Sequence, residues 1–89
     1  MVTMLVQHHV KDFASWKRVY DSMSDLRISN GEISHKIYRD TMDPNKLTVV
    51  NTWDTLEKSQ KFAQSAELKA AMSEAGVEGP PNISFLKEA

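Results

Sequence analysis

Hydrophobic and polar residues follow two different periods along this chain. Four stretches alternate with the period of two that is typical of β-strands: residues 2–10, 32–39, 47–53 and 82–87. Two regions instead place apolar side chains at three- and four-residue intervals, the pattern of amphipathic helices: residues 13–26 and about 55–75. The sequence therefore predicts the order β-α-β-β-α-β.

Local signals bound the first predicted helix. Asp12 is a suitable N-cap, and residues 13–26 then form an amphipathic helix of about four turns. Asn30-Gly31 is expected to end this helical region, because glycine adopts the left-handed C′ conformation without steric penalty.

The second helical region has signals of its own. Asp54 and Glu57 form an aspartate version of a capping box, which opens a helix at about residue 55. Ser65 can cap a second helical piece, and Gly76 is expected to end it. Residues 79–81, Gly-Pro-Pro, are interpreted as a rigid loop before the last strand.

The element order predicts an α+β fold, because two β-α-β crossovers interleave with right-handed connections. The expected result is a single ferredoxin-like βαββαβ sandwich over residues 1–89, with one four-stranded antiparallel sheet in the order 4-1-3-2 and both helical regions on one face. The more apolar face of each strand should meet the helices; it carries Val2, Met4, Val6, Ile33, Ile37, Leu47, Val49, Ile83 and Phe85.

The opposite sheet face is mixed. Leu5, Tyr38, Val50 and Leu86 make it too apolar for a freely solvated sheet, which favours a homodimer that packs two sheets face to face. The alternative is a monomer with a few exposed apolar residues, which is common in small proteins.

Composition and charge narrow the class of protein. Eleven Lys and Arg residues against twelve Asp and Glu residues give a formal charge of −1, without the basic excess of a nucleic-acid groove. Only Tyr38 and His9 could stack on bases at the open face, so RNA binding is disfavoured. There is no cysteine, and no apolar run is long enough for a membrane span. A cytoplasmic protein is expected.

Five exceptions interrupt the apolar, helix-facing side of the sheet: His8, His35, Arg39, Asn51 and Trp53. A hairpin turn over residues 40–45 predicts a register with Asn51 opposite His35 and Leu47 opposite Arg39, with a shift of two residues as the alternative that keeps the same faces. Two sites are therefore expected. His35, Asn51 and Trp53 form one, and His8 lies nearer Arg39 in the other.

The predicted cluster of His35, Asn51 and Trp53 has two interpretations. As a small-molecule pocket, Trp53 supplies a flat apolar wall, while Asn51 and His35 contact a polar ligand. As part of the core, His35 and Asn51 bond to each other beneath a packed indole.

The pair His8 and Arg39 is also ambiguous. It could be an anion-binding or acid–base site at the pocket mouth, or an exposed pair at the strand ends, which is the commoner situation. His8 and His9 point to opposite sheet faces and cannot chelate one metal together. No metal site can be assembled, and no cofactor is predicted.

The sequence resembles the dimeric α/β-barrel superfamily, especially small proteins related to antibiotic-biosynthesis monooxygenases. Besides the element order, three local patterns carry the resemblance: His-His-Val-x-Asp-Phe-x-x-Trp-Lys at 8–17, Trp-Asp-Thr-x-Glu at 53–57 and Phe-x-x-Ser-x-x-Leu-x-x-Ala-Met at 62–72. The resemblance implies a dimer with a pocket between sheet and helices in each protomer. It also implies cofactor-independent oxygenation of aromatic polyketides, or haem degradation.

One departure from this pattern argues against haem degradation by the known route. Haem-degrading relatives use a helical histidine about ten residues after the third-strand tryptophan, whereas this chain has Phe62-Ala63-Gln64 there and no histidine after His35. The expected function is binding of a small aromatic or quinone-like molecule by a protein resembling cofactor-independent monooxygenases. The alternative is a non-catalytic binding or accessory module on the same scaffold.

Overall fold

Four strands and four helices follow one another in the computed structural model, which describes residues 1–89. The strands are β1 (Val2–Val10), β2 (Glu32–Arg39), β3 (Lys46–Trp53) and β4 (Val77–Leu86). The helices are α1 (Phe13–Ser22), α2 (Ser24–Ser29), α3 (Leu56–Ala63) and α4 (Ala66–Ala75). The sheet order is β2-β3-β1-β4 with every neighbouring pair antiparallel, so the predicted ferredoxin-like topology is confirmed.

The hairpin of β2 and β3 has the predicted register. His35 lies opposite Asn51, and Arg39 lies opposite Leu47. In β1 and β3 alternate side chains are buried, as in Val2, Met4 and Val6, which gives the two central strands an apolar face towards the helices.

Three of the predicted helix signals are confirmed. The Asp12 carboxylate accepts a hydrogen bond from the Ser15 N–H at 2.9 Å and caps α1. The Ser65 hydroxyl accepts one from the Leu68 N–H at 3.2 Å and caps α4. Gly76 ends α4 with φ 80°, a left-handed conformation that glycine adopts without strain.

The prediction for the start of α3 was wrong by one residue. Thr55, not Asp54, is the N-cap, because its hydroxyl accepts the Lys58 N–H at 3.1 Å. The Asp54 carboxylate instead accepts a charged hydrogen bond from Lys58 Nζ at 2.8 Å on the helix surface.

The first helical region is broken rather than continuous. Met23, with φ −94° and ψ 5°, separates α1 from α2, and its N–H bonds to the Tyr20 carbonyl three residues back. This tight turn redirects the chain after Ser22, so that α2 is a separate short helix.

The last strand is longer than predicted. β4 begins at Val77 and includes the Gly-Pro-Pro segment at 79–81, which was interpreted as a loop. The prolines are tolerated because β4 is an edge strand, where a missing N–H need not break a ladder bond. The register between β1 and β4 shifts between Gln7 and His9, next to Gly79 with its positive φ of 72°.

An irregularity at the start of β2 overturns one face assignment. The register shifts between Glu32 and Ser34, so that Glu32 lies opposite Trp53 while Ser34 lies opposite Thr52. The intervening Ile33 is 55% exposed instead of facing the helices, and Glu32 is buried in its place.

None of the four helices has the length and apolar character needed to span a membrane.

Candidate functional site

A partly open cavity of about 70 Å³ lies between the helix-facing side of the sheet and the helices. Its wall is mostly apolar; the contributing side chains are Met4, Val6, His8, Trp16, Val19, Tyr20, Met23, Arg27, Val49, Asn51, Phe62, Leu68, Ala71, Met72 and Ala75. One water molecule requires roughly 10–15 Å³ of such space, so the cavity can hold a ligand larger than a single water.

Asn51 forms one polar end of the cavity. It lies in the middle of the sheet and is 3% exposed. Its Nδ2 donates a hydrogen bond to Glu32 Oε2 at 2.5 Å and lies 3.4 Å from the Tyr20 hydroxyl oxygen. Its Oδ1 is buried without a hydrogen-bond partner, so this residue of the cavity wall carries an unused acceptor.

A buried ion pair lies beside Asn51. Arg27 Nε donates to Glu32 Oε1 at 3.2 Å and lies 3.1 Å from Oε2, and the two side chains are 6% and 3% exposed. Arg27 also donates from Nη1 to the Tyr20 carbonyl at 2.6 Å, and its guanidinium lies 3.7 Å from the Tyr20 ring centroid. The pair is therefore embedded in hydrogen bonds and a cation–π contact.

Sequence reasoning missed both members of this pair. Arg27 continues the spacing of Trp16, Tyr20 and Met23 along the apolar stripe, and this spacing is the signal that could have placed it inside. Glu32 gave no signal, because only the irregularity beside Ile33 turns it towards the helices.

His8 forms the opposite polar end. It is 9% exposed, and its ring lies 5.7 Å from the Trp16 ring between centroids. Burial lowers the pKa of His8, so the imidazole is neutral at neutral pH. Neither ring nitrogen has a hydrogen-bond partner. A neutral imidazole offers one donor and one acceptor, and both are unused here.

Aromatic rings flank the space between the two polar ends. Trp16 and Tyr20 lie on α1 with centroids 4.9 Å apart, and Phe62 approaches from α3. Burial raises the pKa of Tyr20 to about 12, which keeps its phenol protonated. The middle of the cavity is thus suited to a flat apolar ring.

The structure separates the predicted cluster around Asn51. His35 is on the outer side of Glu32, with Nδ1 3.5 Å from Oε1 and a side chain 41% exposed, so the carboxylate links it to Asn51. Trp53 is fully buried behind Phe62, at 5.0 Å between ring centroids, and does not line the cavity. Trp16, Tyr20 and Phe62 supply the aromatic wall expected of Trp53.

The structure does not bring the side chains of His8 and Arg39 together into one site. Both flank Leu47 in the sheet, as the register predicts. The Arg39 guanidinium, however, packs over the Phe13 ring at 3.9 Å and donates to the Pro44 carbonyl at 2.9 Å, outside the cavity. His8 instead shares one cavity with Asn51.

The arrangement is suited to binding rather than to holding a metal. No group of three or more His, Cys, Asp or Glu side chains is placed to hold an ion. The polar groups of the wall are the neutral imidazole of His8, the amide of Asn51 and the guanidinium of Arg27, which is paired with Glu32; the rest is apolar and aromatic surface. These groups can orient a polar aromatic molecule, and the imidazole can accept a proton from it.

No protein-family model matches this sequence, and no curated protein is a detectable sequence relative. Solved structures do match it over nearly the whole chain. A protein from Bordetella bronchiseptica, described as a candidate antibiotic biosynthesis monooxygenase, superposes with a TM-score of 0.82 at 17% identity and covers 99% of this chain and 96% of its own. The chain has the fold of the antibiotic biosynthesis monooxygenase structures.

Two further structures show the same fold. SnoaB, a cofactor-independent oxygenase from Streptomyces nogalater, has a TM-score of 0.80 at 12% identity and covers 99% of this chain and 92% of its own. A conserved protein from Methanosarcina mazei has a TM-score of 0.78 at 14% identity, with the same coverages. The resemblance stated from sequence is thus confirmed for the fold.

Proposed function

We propose that the protein binds a small hydroxylated aromatic or quinone-like molecule in this cavity. The observation that carries the proposal is a pair of unpartnered polar residues on a mostly apolar wall: the ring nitrogens of His8 and Oδ1 of Asn51 are buried without hydrogen-bond partners, whereas Arg27, the third polar residue of the wall, is paired with Glu32. A buried polar atom without a hydrogen bond costs roughly 1–3 kcal/mol, which a ligand with polar groups would recover.

The spacing of the two ends suits a ring with polar groups on opposite sides. His8 pairs with Leu47 and Asn51 pairs with Met4, so the two residues are four positions apart along the sheet. Four residues of strand span about 13 Å between Cα atoms. Between them lie the apolar side chains of Val6 and Val49.

We propose further that the bound molecule is oxidised by O₂ without a cofactor. The support is the fold shared with SnoaB, together with an imidazole that is neutral in the cavity. A neutral His8 can accept the phenolic proton, and the phenolate donates electrons to O₂ more readily. For a phenol oxidised to a para-quinone, the substrate supplies all the electrons; one oxygen atom enters the ring and the other leaves as water.

The alternative is a binding or accessory module that does not transform its ligand. The wall holds a proton acceptor in His8 but no charged acid–base pair, since Arg27 and Glu32 are engaged with each other. This alternative predicts that a ligand raises the melting temperature and is recovered unchanged.

A thermal-shift screen of phenols, quinols and naphthols tests the binding proposal. A ligand that stabilises the wild-type protein should stabilise His8→Leu and Asn51→Leu much less, while Gln60→Leu, which removes an exposed amide from α3, should respond like wild type. A stabilising ligand that acts equally on all four proteins would overturn the proposed site.

Oxygen uptake then separates enzyme from binder. With a bound phenol, one O₂ should be consumed for each quinone formed, and His8→Leu should lower the rate without removing all binding. A ligand that saturates the cavity with no oxygen consumption would support the accessory module.

We also propose a homodimer through the open sheet face. Tyr38 and Leu86 are 53% and 45% exposed on that face, and a domain of this size gains stability from association. In analytical ultracentrifugation, Leu86→Glu should shift the protein towards monomer. Leu56→Glu, which changes an equally exposed leucine on α3, should not. The cytoplasmic location and single-domain organisation stay predictions.

A further inference from the structure

The Asn51 side-chain amide is held in one orientation. A carboxylate can only accept hydrogen bonds, so the NH₂ group of Asn51 must be the end that faces Glu32, at 2.5 Å. The Tyr20 hydroxyl oxygen, 3.4 Å from the same nitrogen, offers a second acceptor. The Oδ1 atom is therefore the end of the amide that is left without a hydrogen-bond partner, on a residue that lines the cavity.

Glu32 cannot easily turn away and release this amide. Its two oxygens are within 3.2 Å and 3.1 Å of Arg27 Nε, and its side chain is 3% exposed. Arg27 is fixed in turn by the Tyr20 carbonyl and by the face of the Tyr20 ring. Rotation of the carboxylate would break charge-assisted hydrogen bonds in a buried place, so the orientation of Asn51 is built in before any ligand arrives.

We propose that Glu32 is a positioning residue that makes the cavity select ligands with a hydroxyl donor. Glu32 holds the NH₂ group of Asn51 itself, so the part of this side chain left for a ligand is an acceptor, which a phenol or hydroquinone O–H satisfies. A quinone carbonyl or an aryl methyl ether has no proton to donate and leaves Oδ1 unpaired. This inference rests on the proposed binding function of the cavity.

The opposite end of the cavity does not make this distinction. His8 has one donor and one acceptor nitrogen free, so it can meet either a hydroxyl or a carbonyl. The selection therefore falls on the Asn51 end alone. A hydroquinone with one hydroxyl at each end would lose its bond to Asn51 on oxidation to the quinone and keep one to His8, so the reduced form binds more tightly than the oxidised one.

The test compares 1-naphthol, 1-methoxynaphthalene and naphthalene by titration calorimetry. 1-Methoxynaphthalene keeps the oxygen but has no hydroxyl proton to donate, and naphthalene has neither the oxygen nor the methyl group. Wild type should bind 1-naphthol about tenfold or more tightly than either of the others, since one satisfied hydrogen bond is worth about that factor.

In Glu32→Gln, the new amide can donate to Asn51 Oδ1, which lets the Asn51 NH₂ group face the cavity. The naphthol preference should then fall several-fold, while the affinity for naphthalene stays close to wild type. Glu67→Gln, which neutralises an exposed carboxylate on α4, should keep the full preference. An unchanged naphthol preference in folded Glu32→Gln would overturn the role of Glu32.

The affinities of the wild-type protein for the three probes already test the selection and the proposed function separately. Equal affinity for all three probes overturns the selection but leaves the cavity as a ligand site, whereas no binding of any probe overturns the proposed function as well. By NMR, the Asn51 side-chain NH₂ protons should exchange with water much more slowly than those of the exposed Gln60. Equally fast exchange would show that Glu32 does not hold the amide, even if Glu32→Gln fails to fold.

Discussion

The Glu32 carboxylate accepts a 2.5 Å hydrogen bond from the Asn51 side-chain amide in the interior of the sheet. Glu32 comes from the irregular start of β2 and Asn51 from the regular part of β3, so a local departure from strand geometry brings them together. The contact links the ion pair with Arg27 to the wall of the cavity. Stability and the proposed ligand recognition therefore depend on one group of residues.

Removing Arg27 should destabilise the protein strongly. Arg27→Met leaves the Glu32 carboxylate buried, 3% exposed, without its charged partner, a situation that costs about 3–5 kcal/mol. The double variant Arg27→Met/Glu32→Met removes both charges and should recover much of that loss. Urea unfolding of the wild type, both single variants and the double variant measures the coupling. Additive losses would mean that the pair is not energetically coupled.

Folding stability should fall when the pH drops below the usual histidine pKa of 6.5, because of His8. Burial lowers the pKa of His8, so the unfolded chain takes up a proton before the folded one does and unfolding becomes easier. The slope is at most about 1.4 kcal/mol per pH unit for one such group. His8→Leu should flatten the curve of unfolding free energy between about pH 6.5 and 5.

The pH range distinguishes the contribution of His8 to stability from the contributions of the carboxylates. Hydrogen bonds lower the pKa values of Asp12, Asp43 and Asp54 below the usual 3.8, so their contributions are lost only at more acid pH. A His8→Leu curve that runs parallel to wild type down to about pH 5 would show that His8 is not neutral and buried.

His9 should contribute more to folding stability at low pH than at high pH, which is the opposite of His8. Its Nδ1 lies 2.6 Å from Glu78 Oε1 and its Nε2 lies 3.0 Å from Asp43 Oδ2, contacts that raise the pKa of His9 above 6.5. The protonated ring is favoured in the folded state, so its contribution is complete below pH 6.5 and is lost as the pH rises through the raised value.

Melting temperatures from pH 6 to 9 check this sign. His9→Gln should lie below wild type at the acid end of the range and approach it at the alkaline end. Because all three side chains are solvent-exposed, added salt should reduce the difference. A gap that widens with rising pH would contradict the assignment.

The sequence predicted the fold because its signals are local and agree with one another. Alternation identified the strands, Asp12, Ser65 and Gly76 marked helix ends, and the hairpin turn placed Asn51 opposite His35. The sheet order followed from the right-handed crossovers. These features depend on neighbours along the chain, which a single sequence shows directly.

The candidate site was harder to predict because it depends on irregular backbone and on long side chains. A strict alternation places Ile33 inside and Glu32 outside, and only the register shift reverses them. Arg39 starts from the expected position, but its side chain turns to Phe13. Such choices are made by tertiary contacts and leave no period in the sequence.

Filling the cavity should abolish ligand binding without harming the fold. Ala71 lines the cavity from α4, whereas its neighbour Ala70 is exposed, so Ala71→Leu and Ala70→Leu add the same side chain to the inside and the outside of one helix. The inner leucine occupies space that a ring would take and buries apolar surface, so Ala71→Leu should melt at or above the wild-type temperature. A ligand that stabilises wild type and Ala70→Leu should not stabilise Ala71→Leu. An undiminished ligand-induced shift in folded Ala71→Leu would place the ligand elsewhere, because the same volume cannot hold both.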